Sequence, residues 1–342
     1  MYKNKKTKVS ITDVARHAGV GVGTVSRVIN QTGNVSEKTR RKILQTIHEL
    51  GYVPNRIAQG LRSNHYKTVM LIADLENPQL NKTIKGVYSQ LESKGYMLSV
   101  CNIEDSSIVH KLKTIVDHYP IDGIILAPRT DDDAELNEYL RSLDIPIITY
   151  RMQIPGIAYG TNIDYSSSVR HALKYLFSLR HRNICLICSS TSIPSNQDML
   201  ETYRQTFAEH QIPLDERNII SISNFSPELV EHHLLTLMNR IRNRDITAII
   251  CLHKSFFLQM LHSMKANNIR YPDDVSLIAV EDDEFTKLMS PPITVIRRSL
   301  IDMGKNMGHL LLQYIENPDL YGSIEPYNIP TEFIIRDSCR EL

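Results

Sequence analysis

The chain has 342 residues, 42% hydrophobic content and a formal net charge of +1, enough material for two or three compact units. The near-zero balance hides a split: residues 1–64 hold twelve Lys/Arg against three acids, a charge of +9, and the remainder carries −8. That layout fits a polyanion-binding head on an acidic body. No run approaches the ~20 apolar residues needed to cross a bilayer, so no membrane partner and a cytoplasmic protein are expected.

Ser10 to Asn30 reads as helix, glycine turn, helix. Ser10 and Asp13 form a capping-box-like start, Ile11, Val14, Ala15 and Ala18 share one face, and Gly19 ends the first helix in a left-handed conformation. The second helix starts near Gly21, a weaker cap than serine. Its Val25, Val28 and Ile29 cluster inward, which leaves Val22, Gly23, Ser26 and Arg27 on an outward arc. Short side chains followed by an arginine suit close approach to base edges: Arg27 can pair bidentately with guanine, and Val22 can touch a thymine methyl. A third helix, capped by Ser36 and ended by Gly51, is expected to carry Ile43, Leu44, Ile47 and Leu50 inward. Thr24, Lys38 and Arg40, with Arg41 and Lys42, are assigned to phosphates rather than bases. The competing reading of these three helices is a small protein-binding module.

Pro54 to Arg62 forms a short amphipathic segment, too short to persist alone as a helix in water. Asn55, Ala58, Leu61 and Arg62 are candidates for a minor-groove hinge in which Leu61 pries open a base step; the bland alternative is a linker.

From Lys67 onward short β-rich runs alternate with helical patterns, the mark of βαβ units and parallel sheets. A first set falls at Val69–Ala73, Met97–Cys101, Gly123–Ala127 and Ile145–Thr149. A second falls at Asn183–Cys188, Asn218–Ser221, Ile246–Leu252, Val275–Val280 and Ile293–Ile296. Two doubly wound subdomains follow, with ligands expected where strand C-termini meet. Cys185 and Cys188 form a CxxC, but in a strand residues three apart face opposite sides, so two core thiols are expected rather than a redox or metal pair. No Gly-rich phosphate loop, nucleophile motif or metal-ligand spacing appears among the thirteen histidines and other polar residues, so neither an enzyme nor a cofactor or metal site is expected.

These residues resemble the LacI/GalR family of transcriptional regulators over nearly the whole chain. The resemblance implies a three-helix head, a hinge helix ordered on operator DNA, and a homodimer on a near-palindromic operator. By that match Val22, Gly23 and Arg27 hold the base-reading positions and Leu61 the intercalating one, while Gly21 stands where the family usually has serine. Asp122–Pro128, Tyr271–Ile278 and Ser290–Ile296 match landmarks of the family's periplasmic-binding-protein-like body. The expected divisions are 1–64 for the head with a hinge at about 54–62, and 67–342 for the body. Within the body the first lobe takes about 67–161 and 293–323, and the second about 162–290 and 325–340.

The pocket positions depart from the pattern. Met199 stands where an arginine is usual, His253-Lys254 replace Asn-Asp, Glu281 replaces an aspartate, and Gln79-Leu80 replace an aromatic pair. The candidate effector-cleft residues are therefore Gln79, Arg151, Met199, His253, Lys254 and Glu281. Lys254, His253 and Arg151 point to an anionic small-molecule effector such as a sugar derivative; the alternative is a cleft that binds no small molecule and a regulator controlled by a protein partner. The expected function is a repressor of a metabolic operon. A cytoplasmic solute-binding protein is the competing class, and it would need neither Arg27 nor Leu61.

Overall fold

The computed structural model describes the chain apart from residues 1–8, 31, 54–64, 76, 78, 104–107, 128–132, 151–152, 190–193 and 223–225. It divides into two compact units, Met1–Lys67 and Thr68–Leu342. The hinge candidates Asn55, Ala58, Leu61 and Arg62, and the cleft candidate Arg151, lie outside the described residues.

The head contains α1 (Ile11–Ala18), α2 (Val22–Ile29) and α3 (Glu37–Leu50). Ser10 and Asp13 exchange side-chain and backbone hydrogen bonds in a capping box, and Gly19 closes α1 at φ 63°. Val14, Ala15, Ala18, Val25, Val28 and Ile43 make the core. Leu44, expected inward, is 50% exposed, and Thr46 takes the buried place with its hydroxyl donating to the Lys42 carbonyl. One turn of α3 therefore faces the core slightly differently from an ideal wheel, because a threonine whose hydroxyl bonds its own helix can be buried without an unmet donor.

The body has two sheets. The first contains β1 (Thr68–Ala73), β2 (Met97–Asn102), β3 (Gly123–Leu126), β4 (Ile147–Thr149) and β5 (Ala158–Tyr159), in the order β2-β1-β3-β4-β5. The second contains β6 (Asn162–Asp164), β7 (Ile184–Ser189), β8 (Ile219–Ile222), β9 (Ala248–Cys251), β10 (Ser276–Val280), β11 (Thr294–Arg298) and β12 (Asn328–Ile334), in the order β6-β12-β11-β10-β9-β7-β8. Among the described residues, all pairings are parallel except β11 with β12. Each lobe thus has the doubly wound order with a switch point beside its first strand.

Helices cover both faces of each sheet. In the first lobe these are α4 (Leu80–Ser93), α5 (Ile108–His118), α6 (Ala134–Ser142) and α12 (Leu300–Glu316). Val69, Leu71 and Ala73 point toward α4 and α12, while Met70 and Ile72 point toward α5 and α6. In the second lobe, α7 (Ser166–Ser178) and α8 (Pro194–Glu209) cover one face, and α9 (Pro227–Arg242) and α10 (Lys254–Ala266) the other. A short α11 (Glu284–Leu288) follows β10. Cys185 faces the α9–α10 core and Cys188 the α7–α8 core, as the strand period requires. Burial pushes the Cys188 thiol up to about 12 and raises Cys185 as well, so both are inert apolar side chains at neutral pH.

The lobe boundary needs one correction. Residues 293–298 were expected in the first lobe, but β11 lies between β10 and β12 in the second sheet. The chain returns to the first lobe only at Ser299, which caps α12. The physical reason is the run Ile293–Ile296, whose apolar residues complete the second sheet's core on both faces.

His181 locks the far end of the second lobe. Its ring nitrogens meet Thr247 Oγ1 at 2.9 Å, and the Arg340 carbonyl at 3.0 Å together with Ser276 Oγ at 2.9 Å. Burial first, and the neighbouring Arg340 and Arg182 charges, hold its pKa below the ordinary 6.5. The unfolded chain therefore binds the proton at higher pH than the native chain, so stability falls as pH drops below about 6.5. Urea midpoints taken at about pH 7 and about pH 5.5 should show that fall in the native sequence and a smaller one in His181→Gln; equal slopes would remove His181 as a cause.

Candidate DNA-reading face and effector cleft

In α2, Gly23 and Arg27 are exposed, Ser26 is half-exposed, and Val25 and Val28 anchor the opposite side. Val22 was expected fully outward; it is half-buried and packs on the head core, leaving only part of its side chain available. A Cβ added to Gly23 would meet nothing within 4 Å, so the head's own packing does not require glycine there. Its bareness instead lets backbone approach another surface closely. Ser26 Oγ accepts from Asn30 Nδ2 at 3.3 Å. Arg27 carries its stem past Gly33, where an added Cβ would lie 3.4 Å from Arg27 Cδ. Gly33, at φ 69°, is a supporting residue the sequence reading missed; its signal was a glycine just beyond the recognition helix.

The phosphate candidates lie on α2 and α3. Thr24 is half-buried in its first turn, Lys38 is exposed at the start of α3, and Arg40 is half-buried, 3.8 Å from Glu37. Lys42 Nζ lies beside the α1–α2 turn, 3.6 Å from a Cβ placed on Gly19.

In the body, the cleft candidates follow strand C-termini, but their roles differ from expectation. Met199 is fully buried in the α7–α8 core and offers no polar group. His253 caps α10, its Nδ1 accepting from the Phe256 amide at 3.2 Å. Lys254 donates to Asp283 at 2.6 Å and sits 5.3 Å over the Phe285 ring. Burial opposes ionisation of Asp283, yet the Lys254 bond and the Thr286 amide still hold its carboxyl below its ordinary value. Two of the three groups expected to receive an anion are thus engaged within the protein. The anionic-effector reading loses its basis in His253 and Lys254, and Arg151 lies outside the described residues.

Gln79 and Glu281 do converge, on a residue the sequence reading passed over. Arg298, the last residue of β11, donates from Nε to Glu281 at 2.5 Å, from Nη1 to the Tyr165 hydroxyl at 2.7 Å, and from Nη2 to Gln79 Oε1 at 2.8 Å. Burial pushes the Tyr165 hydroxyl up to about 12, so it stays a neutral acceptor. The Arg298 and Glu281 side chains are 14% and 5% exposed. Period-2 alternation could have found Arg298: Arg297 beside it pairs outward with Glu332, so its neighbour must face the other way.

A family model for the lacI family of bacterial regulatory proteins matches residues 10–55, and one for a periplasmic binding protein-like domain matches residues 173–339. The HTH-type transcriptional regulator DegA of Bacillus subtilis is 30% identical over 302 residues, covering 87% of this chain and 88% of that protein. The HTH-type transcriptional repressor PurR of Vibrio parahaemolyticus is 30% identical over 342 residues, covering 97% and 99%. Among solved structures, the lac repressor dimer bound to operator and the anti-inducer ONPF has a TM-score of 0.75 at 21% identity, covering 98% of this chain and 100% of that one. The regulator CelR in complex with cellobiose has a TM-score of 0.66 at 25% identity, covering 96% and 99%. With these matches over nearly its whole length, the chain belongs to the lacI family of bacterial regulatory proteins as a DNA-binding transcriptional regulator.

Proposed function

We propose that the chain represses a metabolic operon by binding a near-palindromic operator as a homodimer in the cytoplasm. The observation that carries this reading is the outward row of α2, with bare Gly23, short Ser26 and exposed Arg27, on a head rich in Lys and Arg. A helix with small residues and one guanidinium can enter a major groove and read a guanine edge, while Thr24, Lys38 and Arg40 hold phosphates and fix its register. Val22 adds a partial apolar contact. Asn55, Ala58, Leu61 and Arg62 serve as the minor-groove hinge.

Homodimerisation is supported by apolar exposure at the edge of the first sheet. Met97 and Val100 on β2 are 52% and 39% exposed, and Tyr88 on α4 is 46% exposed. A second copy would cover this open edge, which otherwise invites nonspecific pairing. A solved relative is described as a dimer bound to operator, in keeping with this reading. The effector acts between the body lobes at the strand ends that carry Gln79 and Glu281, by population shift between lobe arrangements.

The test starts with selection of bound sequences from random duplex DNA. Arg27→Ala should then relax preference at one base pair per half-site by about 1–3 kcal/mol, read by competition binding at fixed salt. Lys38→Ala should instead weaken all duplexes alike and lower the salt slope by about one. An unchanged preference in Arg27→Ala would remove its assigned role, and absence of any enriched motif would overturn the reading.

A further inference from the structure

Arg298 belongs to the second lobe through β11, yet one of its nitrogens is bound by Gln79 of the first lobe. The other two acceptors, Glu281 and Tyr165, follow β10 and precede α7 in the second lobe. Glu281 is fixed from its backbone: it sits at φ 76°, a region that a glutamate enters only against strain, and its amide donates to the Ile296 carbonyl at 3.1 Å. Such strain persists where the surroundings over-determine it, and here it aims a carboxylate at Arg298. Gln79 is fixed too, its amide donating to Asn77 Oδ1 at 3.1 Å at the start of α4. Arginine does not lose its charge, so the donor of all three bonds stays a cation.

We propose that Arg298 is an internal lobe tether, holding Gln79 against Glu281 and Tyr165 so that the two lobes stay joined with nothing bound between them. This rests on the reading of the body as a two-lobed effector module. The charge pair lies wholly within the second lobe, and the bond to Gln79 is the exchangeable part. Removing Glu281 would strand a buried cation, whereas Gln79 contributes one neutral oxygen that another oxygen acceptor can replace. A cleft ligand therefore opens or resets the lobes by taking the place of the Gln79 amide, and the Arg298–Glu281 pair stays formed.

The experiment uses the full chain without ligand or DNA. Gln79→Ala and Gln79→Met both delete the acceptor but differ in retained volume. Both should raise hydrogen exchange at the backbone amide of position 79 roughly tenfold, the ratio of a charged hydrogen bond's net worth. Both should also increase the radius of gyration in small-angle scattering, while amides inside β7 and β9 keep their protection. Exchange and scattering equal to the native sequence in both variants would overturn the tether. So would a change confined to Gln79→Ala, which would mark lost packing rather than a lost bond. Neither readout involves DNA, so the tether can fail while operator selection succeeds, and the reverse.

Discussion

Gly304→Val is expected to destabilise the body by about 3 kcal/mol, the upper end of overpacking costs, seen as a lowered midpoint in urea denaturation. On α12, a Cβ at Gly304 would overlap the Thr83 carbonyl oxygen and lie 2.9 Å from the Val87 amide. Across the contact, a Cβ at Gly86 on α4 would overlap the Ile301 carbonyl oxygen and lie 2.8 Å from the Lys305 amide. Gly308, one turn further on, leaves room for Gln90 and Val87. The atoms in the way are helix backbone, which cannot rotate aside as a flexible side-chain end can, so the helices must separate. Separation would open the layer containing Val87, Leu91, Met303, Met307 and Leu311 and lose dispersion contacts along both helices. It would also disturb the site, because Gln79 caps α4 and Arg298 immediately precedes the cap of α12. Gly304→Ala should act in the same direction with a smaller loss. A midpoint unchanged in both variants would refute the close-packing argument.

How much of this was legible in the sequence depended on the range of the forces involved. Ser10, Asp13, Gly19, Ser36 and Gly51 announce helix ends through bonds within a few residues, so the head could be read in detail. The alternating runs of the body gave most of the longer strands and both lobes. β5 and β6, with two and three residues, are too short to carry a pattern. Leu44 was misplaced because an ideal wheel cannot foresee that Thr46 would satisfy its own hydroxyl in the core. The cleft was the least legible part. His253 and Lys254 occupy positions where ligand groups were expected, but a helix cap and the Asp283 carboxylate claim them. Both partners lie within the local chain or one strand away, and only the folded loop geometry decides whether they pair with each other or face a ligand. Arg298 was hidden for a related reason: its partners at 79, 165 and 281 are brought together only by the crossing of two sheets.

Arg298→Met is expected to cost about 3–5 kcal/mol of body stability at neutral pH, because it leaves the Glu281 carboxylate buried without its cation. The double variant Arg298→Met/Glu281→Leu should recover most of that loss, since two apolar side chains replace two charges in a largely enclosed place. Urea denaturation of both variants separates the two causes. If the single variant's deficit persists in the double variant, the loss comes from packing around Tyr165 and Gln79, and charge neutralisation contributes little. If the deficit disappears in the double variant, the Arg298–Glu281 pair adds little net stability over an apolar core, and its retention is better explained by the bond it directs across the lobes.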